Sequence, residues 1–139
     1  MSEQTKNGCL LLFRGDEWYR KLSHEEIQKV VSQSKAWIDR LTAQRKVKGG
    51  QVLVRNGAIV SGRNGRFVSD GPFAESKESI GGYLLLDVDT LEEAIAIARS
   101  SPSLAYGASI EVRPIGDECP LDACARQMEH QEQLANATA

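Results

Sequence analysis

The sequence has no apolar run close to the roughly 20 residues that a membrane-spanning helix requires. The segment from Met1 to Gly8 also lacks the basic and then apolar layout of a signal peptide. Positive charge is not in excess, because 17 Lys and Arg residues stand against 19 Asp and Glu residues. These features predict a cytoplasmic protein without a membrane segment, and they argue against binding to a nucleic-acid backbone.

Cysteine and histidine are scarce, with three and two residues. An odd cysteine count without a dense Cys framework argues against a disulfide scaffold. Cys119, Cys124 and His130 lie close in sequence, but their spacing is not a zinc-finger pattern and a fourth ligand is missing. The glycine-flanked turn at residues 62–65 lacks the spacing and the Lys-Ser/Thr end of a phosphate loop. We therefore predict neither a metal site nor a bound cofactor.

The chain has the size and composition of one globular domain. It contains 139 residues, of which 41% are hydrophobic and 26% are charged. We expect residues 1–7 to be disordered and residues 8–115 to form the domain. Residues 116–139 form a polar tail that can become a helix, with a thin apolar stripe that packs weakly or on a partner.

Local signals place a strand and a long helix in the first half. The short apolar run Cys9–Phe13 is typical of a strand buried on both faces. Ser23 and Glu26 have the spacing of a capping box, and the helix that they start is expected to reach about Arg45. Gly49-Gly50 is expected to terminate this helical region.

The second half alternates short extended runs with one helix. The predicted strands and helix are an extended segment at 51–54, a hairpin of 58–60 with 66–68, a strand at 82–88, a capped helix from Thr90 to about Ser100, and a strand at 108–115. Each half then has a strand-helix-strand form, which predicts a ferredoxin-like α+β fold with two helices on an antiparallel sheet. Two helices cover only one sheet face, so we expect a homodimer whose sheets face each other or join at their edges.

Asp70 is the strongest candidate for a catalytic residue. It begins the turn Asp70-Gly71-Pro72-Phe73, in which Pro72 fixes one backbone angle and the Asp side chain can bind backbone amides. That structural role alone can explain the motif. A carboxylate in a partly buried loop can also become a general acid or base, so both interpretations stay open.

Ser34, Arg14 and Arg113 are candidate binding residues. Ser34 places a hydroxyl in the apolar stripe of the long helix, where it either bonds back to the preceding turn or borders a polar cavity between helix and sheet. Arg14 ends the first strand and Arg113 lies on the polar face of the last strand. Either arginine can be solvated or can bind an anionic ligand.

Three segments carry a family resemblance: the run from Val68 to Glu78, Gly81-Gly82-Tyr83 and Ile110–Ile115. With these segments the sequence resembles the YCII-related (YciI-like) family, in its DGPF-domain branch, over roughly residues 8–115. It implies a ferredoxin-like dimeric α+β barrel, related to barrels that include a chloromuconolactone dehalogenase and muconolactone isomerases. It also implies a His-Asp pair in a cleft, whose acid matches Asp70 and whose histidine falls near Ser34.

Two functions are compatible with these features. One is a lyase-, isomerase- or dehalogenase-like enzyme acting on a small organic acid, in which Asp70 moves a proton and Arg14 or Arg113 holds a carboxylate. The other is a non-catalytic module that binds a ligand or a protein, in a regulatory system linked to a sigma factor. An enclosed cleft in a dimeric barrel suits a small ligand in either case.

Overall fold

The computed structural model describes residues 4–62, 67–68 and 79–137. The strands are β1 (Cys9–Arg14), β2 (Val47–Val52), β3 (Val60–Ser61), β4 (Phe67–Val68), β5 (Ile80–Leu86) and β6 (Ser109–Pro114). The helices are α1 (Glu17–Arg20), α2 (His24–Ala43), α3 (Leu91–Arg99) and α4 (Pro120–Ala137), with a 3₁₀ helix at Pro102–Tyr106.

Four strands form one antiparallel sheet in the order β2-β5-β1-β6. The first and third strands of this sheet along the chain, β1 and β5, lie in its centre, which is the strand order of a ferredoxin-like fold. Helices α2 and α3 supply the core residues that meet the sheet. The predicted α+β class and ferredoxin-like arrangement are therefore confirmed.

The two faces of the sheet differ because side chains alternate along each strand. Cys9 and Leu11 of β1 and Leu86 of β5 are fully buried in the core beneath the helices, and Leu84 of β5 is buried beside them. Leu12 of β1 alternates with them and points to the other face, where it is half-buried. The face away from the helices is called the open face below.

Trp37 of α2 connects the helices with the sheet. Its ring meets Phe13 of β1 edge-on, with 6.5 Å between the ring centroids. Its indole Nε1 donates to the Ser100 hydroxyl at 2.7 Å, just after α3. The buried ring therefore has both an aromatic neighbour and a partner for its polar atom, as buried tryptophans usually do.

The predicted capping box at the start of α2 is confirmed. The Glu26 amide donates to the Ser23 hydroxyl at 3.1 Å, and the Ser23 amide donates to the Glu26 carboxylate at 3.0 Å. The cap hydrogen bonds lower the pKa of Glu26 from its ordinary value. At α3, Thr90 caps the amide of Glu93 in the predicted way, but the Glu93 carboxylate pairs with Lys46.

The predicted role of Gly49-Gly50 as a helix terminator is wrong. Helix α2 ends at Ala43, and Arg45 adopts the positive φ of 60° that a C-terminal cap requires. The Lys46 amide donates to the Leu41 carbonyl at 2.9 Å, which closes a Schellman motif. Both glycines lie inside β2, which begins at Val47 instead of at the predicted residue 51.

Residues 4–7, part of the segment 1–7 for which the sequence predicts disorder, form hydrogen bonds with the rest of the chain, whereas residues 1–3 lie outside the described residues. Gln4 forms a bridge with Thr90, and the Thr5 amide donates to the Asp89 carbonyl at 2.8 Å. The Thr5 hydroxyl donates to the Val88 carbonyl at 2.7 Å and is buried. Residues 4–7 are thus fixed beside the start of α3 by hydrogen bonds that no local pattern indicates.

The predicted hairpin appears as the pair β3 and β4, in which Val60 lies opposite Val68. The polar tail contains α4, and no residue of this helix is buried. Within the described parts of the chain, no helix has the length and apolar content needed to cross a membrane.

Candidate functional site

A cavity of about 760 Å³ lies between α2 and the end of the sheet formed by β2, β5 and β1. The loop between β1 and α2 and the start of the 3₁₀ helix complete its wall. The described side chains that border it are mainly aromatic and aliphatic: Phe13, Trp18, Tyr19, Trp37, Ile38, Val47, Val52, Leu53 and Leu84. This space is called the α2 cavity below.

Glycines recess the sheet beneath α2. Gly50 of β2 and Gly82 of β5 border the cavity, with Gly49 and Gly81 beside them. A Cβ at residue 50 would lie 2.5 Å from the Tyr83 carbonyl oxygen, and one at residue 82 would lie 2.8 Å from the Gln51 carbonyl oxygen. The backbones therefore approach closely only because these positions have no side chain, and that leaves room under the helix.

Ser34 lies on the wall of the α2 cavity. It occupies the sheet-facing side of α2 between Val30 and Trp37, which are both buried, whereas Ser34 itself is half-buried. A serine in this stripe leaves a gap that a larger apolar residue would fill. Its position agrees with the second interpretation made from sequence, and its binding role stays a prediction.

Asp16 is a buried acid on the same wall. It is the N-cap residue of α1, yet its side chain makes no cap hydrogen bond. Its Oδ2 atom instead accepts from Arg20 at 3.1 Å and from Arg55 at 2.8 Å. Its Oδ1 atom is buried and has no hydrogen-bond partner among the residues that the structure describes.

Two buried serines add hydroxyl groups to the cavity. Ser101 and Ser103 both border it, and their Oγ atoms are 2.9 Å apart. Either hydroxyl can be the donor in this pair, so the other keeps its hydrogen for a different acceptor. The wall can therefore both accept and donate hydrogen bonds.

Arg14 and Arg113 lie together, but on the open face. The two guanidinium groups bind the Glu111 carboxylate at 2.7 and 3.0 Å. The hydrogen bond from Arg113, followed by that from Arg14, lowers the pKa of Glu111 from its ordinary value. The structure therefore brings these two candidates to one cluster and places Ser34 at a different site on the other side of the sheet.

Asp70 lies outside the described residues, together with the rest of its turn. Its candidate role as an acid or base therefore stays a prediction. The sequence did not indicate Asp16, Trp18, Tyr19, Ser101 or Ser103 as residues of this site. For Asp16 the local signals were a turn after β1 and the four-residue spacing to Arg20, whereas its other partner, Arg55, is 39 residues away.

The described residues contain no cluster of three or more His, Cys, Asp or Glu side chains that could hold a metal ion. Cys119 and Cys124 of the tail are exposed free thiols. The polar side chains of the α2 cavity noted above are one carboxylate and three hydroxyls, which suit hydrogen bonding to an organic ligand.

A sequence model described as the YCII-related domain matches residues 15–117, which is well over half of the chain. The chain belongs to the YCII-related family. One similar protein is an uncharacterised protein of Rhizobium meliloti (strain 1021), which is 48% identical to this chain over 50 residues. The aligned segment covers 34% of this chain and 40% of that relative. The YCII-related match covers the whole α2 cavity wall except Phe13.

Proposed function

We propose that this YCII-related protein binds a small organic molecule in the α2 cavity. The observation that carries the proposal is a space of about 760 Å³ that joins aromatic walls to a few polar groups. Binding sites for small molecules usually have volumes of about 300–1,000 Å³, with apolar walls and a small number of placed polar groups. Asp16, Ser34 and the Ser101–Ser103 pair are the polar groups here.

The wall chemistry favours a ligand with a flat apolar body. Trp18, Tyr19, Trp37 and Phe13 all border the cavity, and their rings can stack on such a body. The described lining includes no lysine or arginine. A carboxylate on the ligand would therefore have to lie away from these walls.

An enzymatic function on a small organic acid, of the lyase, isomerase or dehalogenase type, requires in addition a group that moves a proton. The resemblance to the DGPF branch supports Asp70 for this role. Ser34 supports the α2 cavity as the place of this reaction, because it borders the cavity at the position where the resemblance expects a histidine. Without turnover, the same cavity makes the protein a cytoplasmic ligand-binding module, with a regulatory function linked to a sigma factor.

The open face supports a homodimer. Leu12 lies at its centre, opposite Tyr83 on one side and Glu111 on the other. Leu10, Leu12, Tyr83 and Leu85 are all only half-buried in the single chain. Packing this surface against a second copy would remove the apolar area from water, which favours association.

Binding can be tested with 4-methylphenol as the probe. The two tryptophans of the chain, Trp18 and Trp37, both border the α2 cavity, so their indole ¹⁵N–¹H signals report on it. We expect saturable shifts of both signals with a dissociation constant in the millimolar range, which corresponds to about −4 kcal/mol.

A pair of phenylalanine variants on α2 locates the binding. Ser34→Phe places a ring in the cavity and should abolish the shifts. Gln33→Phe adds the same ring at the adjacent exposed position and should leave them unchanged. Shifts that survive in folded Ser34→Phe, or that are missing in the wild type, would contradict the proposal.

A further inference from the structure

Oδ1 of Asp16 is the single buried polar side-chain atom that lacks a hydrogen-bond partner in the described part of the chain. The Asp16 side chain is only 10% exposed. An unsatisfied polar atom in a buried position is destabilising, so native proteins retain few of them. The α2 cavity, which Asp16 borders, offers an explanation for this cost.

The arginines hold Asp16 in one orientation. Arg20 and Arg55 both donate to Oδ2, from within α1 and from the segment after β2. Two charged hydrogen bonds on one oxygen fix the carboxylate plane and leave the lone pairs of the other oxygen available. Asp16 also makes no cap hydrogen bond to α1, which is the usual role of an aspartate at this position.

We propose that Oδ1 of Asp16 accepts a hydrogen bond from a hydroxyl or N–H group of the molecule bound in the α2 cavity. This inference rests on the function proposed above and specifies the ligand class: an apolar or aromatic body that carries a hydrogen-bond donor. The side chains that shield Oδ1 must shift when the ligand enters. Trp18 and Tyr19 lie close to Asp16 in the sequence and border the same cavity.

Two probes that differ in one donor test the proposal. 4-Methylphenol carries a hydroxyl hydrogen, whereas 4-methylanisole replaces that hydrogen with a methyl group and keeps the oxygen as an acceptor. In the wild type we expect the phenol to bind about tenfold more tightly, which is the factor given by about 1.4 kcal/mol. The ratio of the two dissociation constants, read from the tryptophan indole signals, is the quantity compared below.

Asp16→Asn should remove or invert this preference. The guanidinium groups require an acceptor, so the Asn carbonyl will face them and its NH₂ group will take the place of Oδ1. The Asn NH₂ group can donate to the ether oxygen of 4-methylanisole but cannot accept from the hydroxyl of 4-methylphenol. The preference for the phenol should therefore fall to a ratio of one or below. Glu17→Gln is the matched control, because it neutralises an exposed acid at the next position and should keep the wild-type ratio.

The possible failures can be distinguished. If neither probe binds to the wild type, the proposed function fails and this inference fails with it. If both probes bind equally well, or if the tenfold ratio survives in Asp16→Asn, the cavity binds ligands but Asp16 is not the acceptor. The ¹³Cγ signal of Asp16 in the wild type gives a second measurement that needs no variant. It should move with 4-methylphenol and not with 4-methylanisole, and equal movement would overturn the inference.

Discussion

Gly50 and Tyr83 lie so close across β2 and β5 that a Cβ on Gly50 would be 2.5 Å from the Tyr83 carbonyl oxygen. The same Cβ would be 2.8 Å from Cδ2 of Leu84, a core residue. The backbone at Tyr83 cannot move away from a Cβ at residue 50 without breaking the pairing of β2 with β5. This contact makes the recessed sheet under α2 a requirement of the fold as well as a feature of the cavity.

Gly50→Ala should therefore destabilise the protein by roughly 1–3 kcal/mol, the usual cost of forcing an extra methyl group into a packed region. Gly49→Ala is the control, because a Cβ at residue 49 meets no atom within 4 Å. Its effect should stay within about 0.5 kcal/mol. Urea unfolding of the two variants measures the difference, and equal stabilities would refute the close approach.

The structural role of these glycines could not be predicted from the sequence alone. β1 and the start of α2 could be predicted because their signals are local: an apolar run, and a hydroxyl three residues before a glutamate. Gly49-Gly50 could not be assigned correctly, since glycine marks both helix ends and close backbone approaches. Only the pairing of β2 with β5, which joins residues at least 30 positions apart, decides between a helix end and a close backbone approach.

The candidate site was predictable in part for the same reason. Ser34 was anomalous within its own helix, so periodicity alone drew attention to it. Asp16 pairs with the nearby Arg20, but its second partner, Arg55, is remote in sequence. Arg14 and Arg113 were each identified, but their common partner Glu111 and their separation from Ser34 follow from the register of β1 with β6.

The Glu111 cluster should make stability depend on pH. Arg113 and Arg14 lower the pKa of Glu111 in the folded protein below its ordinary value of 4.5. The contribution of this carboxylate is therefore complete above the unfolded pKa and is lost as the pH falls through the folded pKa. Glu111→Gln should lower the melting temperature at neutral pH, and this difference should vanish in acid.

Glu129→Gln on the exposed helix α4 is the control for that experiment. It should change the melting temperature little at either pH. A difference between wild type and Glu111→Gln that persists or grows well below pH 4.5 would contradict the assigned direction of the pKa change.

The proposed dimer predicts that a charge in the centre of the open face is disruptive. Leu12→Lys should convert the protein from twice the chain mass to a monomer in sedimentation equilibrium, because a buried unpaired ammonium group is costly. Val31→Lys adds the same charge to an exposed position of α2 and should remain dimeric. A wild-type protein that sediments as a monomer at micromolar concentration would rule out the dimer.

The enzymatic proposal depends on Asp70. Muconolactone in D₂O is a suitable probe, since an acid–base group that moves a proton at carbon will exchange it for deuterium. We expect wild-type protein to catalyse this exchange and Asp70→Asn to abolish it, with a melting temperature changed by less than about 3 °C. A loss of several degrees with exchange retained would indicate a structural role. Binding without exchange in the wild type would favour the non-catalytic module.

Binding in the α2 cavity is tested most directly by locating bound 4-methylphenol with intermolecular nuclear Overhauser effects. We expect contacts from the probe to the indole rings of Trp18 and Trp37 and to the side chain of Ser34, all on the wall of the α2 cavity. Contacts to the exposed apolar side chains of α4, such as Leu121 and Met128, without any to those three residues would contradict it.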